Sequence, residues 1–176
     1  MSFYLSPGLD KDFFKDKYHS EAFSTHMLLH YPPLGEEAPP NVWGVGEHTD
    51  YGVLTILVQD DVGGLQVQTK AGKWIDVPPV DGTFVINLGD VLEVWADGAF
   101  TARPHRVQAS KDKDRYAFAY FFNPNPDAIV SKISHENALI DLDPSLTKNQ
   151  KKLELDLPFV YGDYLAFKYG NQFSSS

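Results

Sequence analysis

The chain has 176 residues, 43% of them apolar and 14% aromatic, enough for one domain with a sizeable core. A net charge of −9, from 24 acidic and 15 basic residues, lacks the basic footprint that a nucleic-acid partner requires. With no cysteine, disulfide scaffolds, thiolate metal sites and thiol catalysis are excluded. In chain order, GLDKDFFKDKYH (8–19) predicts a short helix. No basic start followed by an apolar block marks a secretory leader, and no apolar run reaches the ~18 residues of a membrane span. A cytoplasmic protein without a membrane partner is therefore expected.

STHMLLHY (24–31) predicts a strand stopped by Pro32-Pro33, and PPLGEEAPPN (32–41) a proline-rich loop. From Trp43 the pattern is β. GVLTILVQ, LQVQT, WIDV and TFVINL are short apolar or alternating runs separated by turn signals. VLEVWA (91–96), after Gly89-Asp90, continues that series, followed by RPHRVQ (103–108) and RYAFAYFF (115–122). Strands at such spacing predict a sandwich or barrel. NPNPDA leaves the sheet. The polar stretch 135–159 reads as loop with short helices, YGDYLAFKYGNQF (161–173) as a helix packing on the sheet, and Ser174–Ser176 as a frayed end.

Chemistry concentrates in GEHTDYGVLTIL (46–57). In extended chain, His48 and Asp50 share one face and offer an imidazole and a carboxylate. His105, on a later strand, offers a third ligand. Two histidines and a carboxylate on one side of a metal form the facial triad of non-haem Fe(II) oxygenases. An HxD pair equally suits an ordinary turn, with Asp50 bonding its own backbone. Arg115 opens an aromatic strand, where its planar fork would need an anion if buried; it equally suits an exposed strand start after KDKD. Phe118, Tyr120, Phe121 and Phe122 predict barrel core, His26 and His30 structural roles, and Arg103 a surface arginine balancing Asp97 or Asp112. Tyr51 is a pocket candidate by its position after the motif.

These pieces together resemble the 2-oxoglutarate- and Fe(II)-dependent dioxygenases, in the isopenicillin-N-synthase-like branch. HYPP (30–33), WGVGEHTDYGVLTILVQDDVGGLQV (43–67), GKWIDVPPVDGTFVINLGDVLEVWADGAF (72–100), PHRV (104–107), DRYAFAYFFNPNPDA (114–128) and PFVYGDYLAFKYG (158–170) occur in the family's order. The resemblance spans about residues 8 to 170. It implies a mainly β double-stranded β-helix, or jelly roll, with a short N-terminal helix and a C-terminal helix. It implies His48, Asp50 and His105 as iron ligands, and Arg115 with Tyr31 as the holders of the distal carboxylate of 2-oxoglutarate. The implied activity is oxidation, by default hydroxylation, of a small organic substrate with O₂, giving succinate and CO₂.

Two departures qualify this. The family's Arg-x-Ser has Ala117 at its third position. The matching region begins near the start of the chain, so residues 1–176 are expected as a single catalytic domain lacking the family's N-terminal region, with self-association over the face left open. The alternatives are a catalytically silent jelly-roll binding protein and a metal-dependent oxidase that does not use 2-oxoglutarate.

Overall fold

The computed structural model describes residues 12–18, 23–39, 42–133 and 157–172. The polar stretch 135–156, His19, His135 and Ser174–Ser176 lie outside the described residues. The N-terminal helix α1 runs from Phe13 to Tyr18, inside the expected span.

Strands β1 (Thr25–Tyr31), β2 (Trp43–His48), β3 (Leu54–Gln59), β4 (Leu65–Gln68), β5 (Trp74–Asp76), β6 (Val85–Leu88), β7 (His105–Gln108) and β8 (Arg115–Phe122) follow the expected series. They form two four-stranded antiparallel sheets, ordered β1-β8-β3-β6 and β2-β7-β4-β5. The chain crosses between the sheets repeatedly, as a jelly roll requires. A small pair, β9 (Ile129–Val130) with β10 (Phe159–Val160), leads into the C-terminal helix α3 (Tyr161–Gln172).

VLEVWA is not a strand. Asp90–Trp95 forms a short helix, α2. Val91, Leu92, Val94 and Trp95 are buried, a spacing that suits one helix face. So short an apolar run carries no periodicity that separates helix from strand. The tertiary setting decides: the first N–H groups of α2 need acceptors. Gly89, Asp90 and Val91 donate to the carbonyls of Val53, Asp50 and Gly52, all at 2.9–3.0 Å. The approach is so close that a Cβ on Gly89 would lie 2.1 Å from the Gly52 oxygen.

Two apolar clusters fill the fold. Tyr31, Leu57, Leu65, Val107, Ala117 and Ala119 pack between the sheets. Tyr18, Val53, the apolar face of α2, Ala128, Val130, Tyr161 and Tyr164 join the three helices to the barrel. The aromatic run of β8 divides differently from expectation. Its alternation turns Arg115, Ala117 and Ala119 inward, whereas Phe118 is 58% exposed on the outer face. Phe121 and Phe122 pack against the clusters as expected. Among the described residues no helix is long and apolar enough to cross a membrane.

Candidate metal and cosubstrate site

His48 is the last residue of β2 and His105 the first of β7, and the two are register partners across that ladder. Their rings lie 4.3 Å apart, centroid to centroid. Asp50 stands just past the end of β2, in the connection to β3. Its position is fixed from outside: the Asp90 N–H binds the Asp50 carbonyl, and the Val53 N–H binds the Phe122 carbonyl of β8. Asp50 Oδ1 sits 3.6 Å from His105 Nε2 and 4.0 Å from His48 Nε2. One ligand atom from each residue falls within 4.8 Å of the others. The structure thus brings together the three residues that the sequence singled out.

The outer ring nitrogens are already committed. His48 Nδ1 lies 2.8 Å from the Gly46 carbonyl, and His105 Nδ1 lies 3.1 Å from that of Arg103. A carbonyl only accepts, so each Nδ1 carries a proton and each Nε2 is the nitrogen turned toward Asp50. Burial, with His105 beside it, pushes His48 below the ordinary histidine range, against the opposing pull of the Gly46 carbonyl and Asp50. The ring is thereby kept neutral, as a ligand must be. Asp50 is buried, and its Oδ2 has no hydrogen-bond partner among the described residues. Two imidazoles, one carboxylate and a spare buried oxygen fit a divalent first-row metal such as Fe(II), with the remaining positions open.

Thr49 ties the motif to the C-terminal helix. Its hydroxyl donates to Asp90 Oδ2 at 3.2 Å. The same oxygen accepts from the Tyr164 hydroxyl at 2.6 Å and pairs with Lys168 Nζ at 3.3 Å. Burial, and then the Asp90 carboxylate, push the Tyr164 phenol far above its ordinary range. Lys168 also lies 4.7 Å from the centre of the Tyr51 ring, so the pocket candidate sits between the metal motif and α3.

Deeper between the sheets is Arg115, only 1% exposed, which settles its burial. Nε donates to the Gly63 carbonyl at 2.6 Å and Nη2 to Gln59 Oε1 at 3.3 Å. Nη1 is buried without a partner among the described residues. A guanidinium so placed calls for an anion, since an uncompensated buried charge is costly. Tyr31 is buried beside it. Burial raises the Tyr31 phenol, and Arg115 pulls it back by charge and hydrogen bond. The phenol is a proton donor at neutral pH and complements a carboxylate.

The structure also places His26, His30 and Arg103. His26 and His30 lie on β1, in the other sheet from His48 and His105. There His30 pairs with Asp114 at 2.6 Å and stacks on Tyr116, and His26 packs on Tyr120. Asp97 pairs with Lys132 at 2.6 Å, while the charge of Arg103 acts on Glu93. Gln59 was not singled out by the sequence. Its place at the end of a buried run, two positions along from Leu57 on the same face, was the available signal.

The model of the family described as the 2OG-Fe(II) oxygenase superfamily matches residues 23–124. A probable iron/ascorbate oxidoreductase of Dictyostelium discoideum is 38% identical over 183 residues, covering 96% of this chain and 50% of that protein. A 1-aminocyclopropane-1-carboxylate oxidase 3 of Arabidopsis thaliana is 37% identical, covering 96% of this chain and 48% of that protein. Among solved structures, a full-length Neurospora crassa protein in complex with alpha-KG superposes with a TM-score of 0.73 at 32% identity, covering 94% of this chain and 49% of that one. The chain spans about half the length of the curated relatives it matches. The jelly roll, the clustered His48, Asp50 and His105, and a family match over more than half its length lead to one conclusion: the chain belongs to the 2OG-Fe(II) oxygenase superfamily.

Proposed function

We propose that this protein is an Fe(II)- and 2-oxoglutarate-dependent oxygenase that hydroxylates a small organic substrate, releasing succinate and CO₂. The carrying observation is the pairing of two sites in one barrel: the His48–Asp50–His105 cluster and the buried Arg115 with its open Nη1. Bound iron supplies the oxidising chemistry, as metal centres of this ligand type do. The protein's own residues do the rest. His48, Asp50 and His105 hold the metal, oriented by the Gly46 and Arg103 carbonyls. Arg115 and Tyr31 bind the distal carboxylate of 2-oxoglutarate and so aim its other end at the metal. Leu57, Leu65 and Val107, buried around them, exclude water and strengthen the charge pairing.

A metal-dependent oxidase that does not consume 2-oxoglutarate is the second reading, favoured by Ala117 beside the arginine. Anaerobic addition of Fe(II) and 2-oxoglutarate separates the two. The oxygenase reading expects a visible charge-transfer band that is absent in His105→Ala. No band from the wild-type protein would overturn it.

We also propose a cytosolic location, and self-association over the outer face of the β1-β8-β3-β6 sheet. Register places Leu28, Phe118 and Val58 in one row across this face, and all three are exposed. An antiparallel face of this kind can meet a second copy about a two-fold axis. Sedimentation should show a dimer that Phe118→Glu dissociates. A monomeric wild-type protein would refute the dimer.

A further inference from the structure

Arg115 is not held by the sheet alone. Residues 115 and 117 share the inner face of β8, and the Ala117 methyl supplies no polar contact there. Opposite Ala117 in the β3–β8 ladder stands Gln59. Its Oε1 accepts from Arg115 Nη2, and its Nε2 donates to the Val77 carbonyl, each at 3.3 Å. The second anchor, the Gly63 carbonyl, accepts from Nε. With both anchors on one edge of the guanidinium, Nη1 is left as the open corner.

We infer that Gln59 is a positioning residue for the cosubstrate. It clamps the guanidinium from the position across from Ala117, so that Nη1 and the remaining Nη2 proton face the incoming carboxylate together. Two parallel N–H donors match the two oxygens of a carboxylate, and the match holds only while the guanidinium plane is fixed. Without the clamp, the Gly63 carbonyl still holds Nε and the Tyr31 ring still lies beside the group, but no side-chain acceptor among the described residues holds Nη2, and the plane can turn. A hydroxyl at position 117, on the same face as Arg115, would be an alternative restraint. Gln59 thus does from the neighbouring strand what no side chain at position 117 can do in this protein.

The inference rests on the 2-oxoglutarate reading above. Its test is calorimetric binding of 2-oxoglutarate to protein loaded with redox-inert Zn(II), which needs no turnover. Gln59→Leu removes the acceptor at similar volume and should weaken 2-oxoglutarate about tenfold, the loss of one charge-assisted hydrogen bond. Zn(II) affinity should not change. Ala117→Ser should recover most of that loss in the Gln59→Leu background, yet alter the wild type little. Under turnover, KM for 2-oxoglutarate should rise with kcat nearly constant.

If Gln59→Leu does not fold, Gln59→Asn withdraws the same oxygen while keeping the amide, and takes its place in both backgrounds. Wild-type affinity in the Gln59 variant would overturn the inference, as would an Ala117→Ser effect that is the same in both backgrounds. Wild-type protein that binds Zn(II) but no 2-oxoglutarate would instead overturn the functional reading on which the inference stands.

Discussion

Tyr31 and Arg115 are direct register partners in the β1–β8 ladder, with the guanidinium carbon 4.9 Å from the centre of the phenol ring. Cross-strand partnership makes their relative position a property of the sheet rather than of a loop. Arg115→Ala removes a charge and its paired donors. It should weaken 2-oxoglutarate by roughly a hundred-fold or more, at ~1.5–3 kcal/mol for each hydrogen bond to a charged group. Metal affinity should persist. Equal 2-oxoglutarate binding by the variant and the wild type, measured by calorimetry, would remove Arg115 from the site.

Tyr31 depends in turn on Gly44. A Cβ at position 44 would lie 2.6 Å from Tyr31 Cδ1, closer than side chains tolerate. Gly44→Ala should force the ring to shift, costing about 1–3 kcal/mol of stability by overpacking. Denaturant melts give the first number, and 2-oxoglutarate affinity reports the displaced phenol. A variant as stable as wild type, with unchanged affinity, would show that the ring has room to move.

The metal cluster predicts a linkage effect. A divalent ion that binds only the folded chain adds ~2.7 kcal/mol at a hundredfold excess over its dissociation constant. Zn(II) or Mn(II) should therefore raise the melting temperature, and a chelator should reverse the rise. His105→Ala and Asp50→Ala should each abolish it. A shift that survives in both would place the ion elsewhere.

Tyr164 carries an alkaline dependence. Its folded pKa is raised, by burial first and by the Asp90 carboxylate next, so folding favours the neutral phenol. The contribution is complete below the unfolded phenol's pKa of about 10 and is lost progressively as pH rises above it. Tyr164→Phe should lower stability at neutral pH by about 1.5–3 kcal/mol, the worth of a hydrogen bond to a charged group. It should also flatten the decline above pH ~10. Parallel pH profiles for the two proteins would contradict this account.

The sequence by itself determined the β series, the terminal helix and the identity of the metal-ligand candidates. The aromatic run RYAFAYFF and the apolar run after the HTD motif are local patterns, and local patterns follow from the geometry of a strand. Family resemblance added Tyr31 and a jelly roll in place of an unspecified barrel. Only the tertiary structure decided what depends on distant partners. VLEVWA became a helix because the N–H groups of Gly89, Asp90 and Val91 at its start met the carbonyls of Val53, Asp50 and Gly52. Phe118 faced outward because Arg115 and the two alanines took the inner positions of β8. Gln59 gained its role through a contact 56 residues away along the chain, with Arg115. No spacing in the sequence announces such a contact, because its energy comes from two strands paired by the fold.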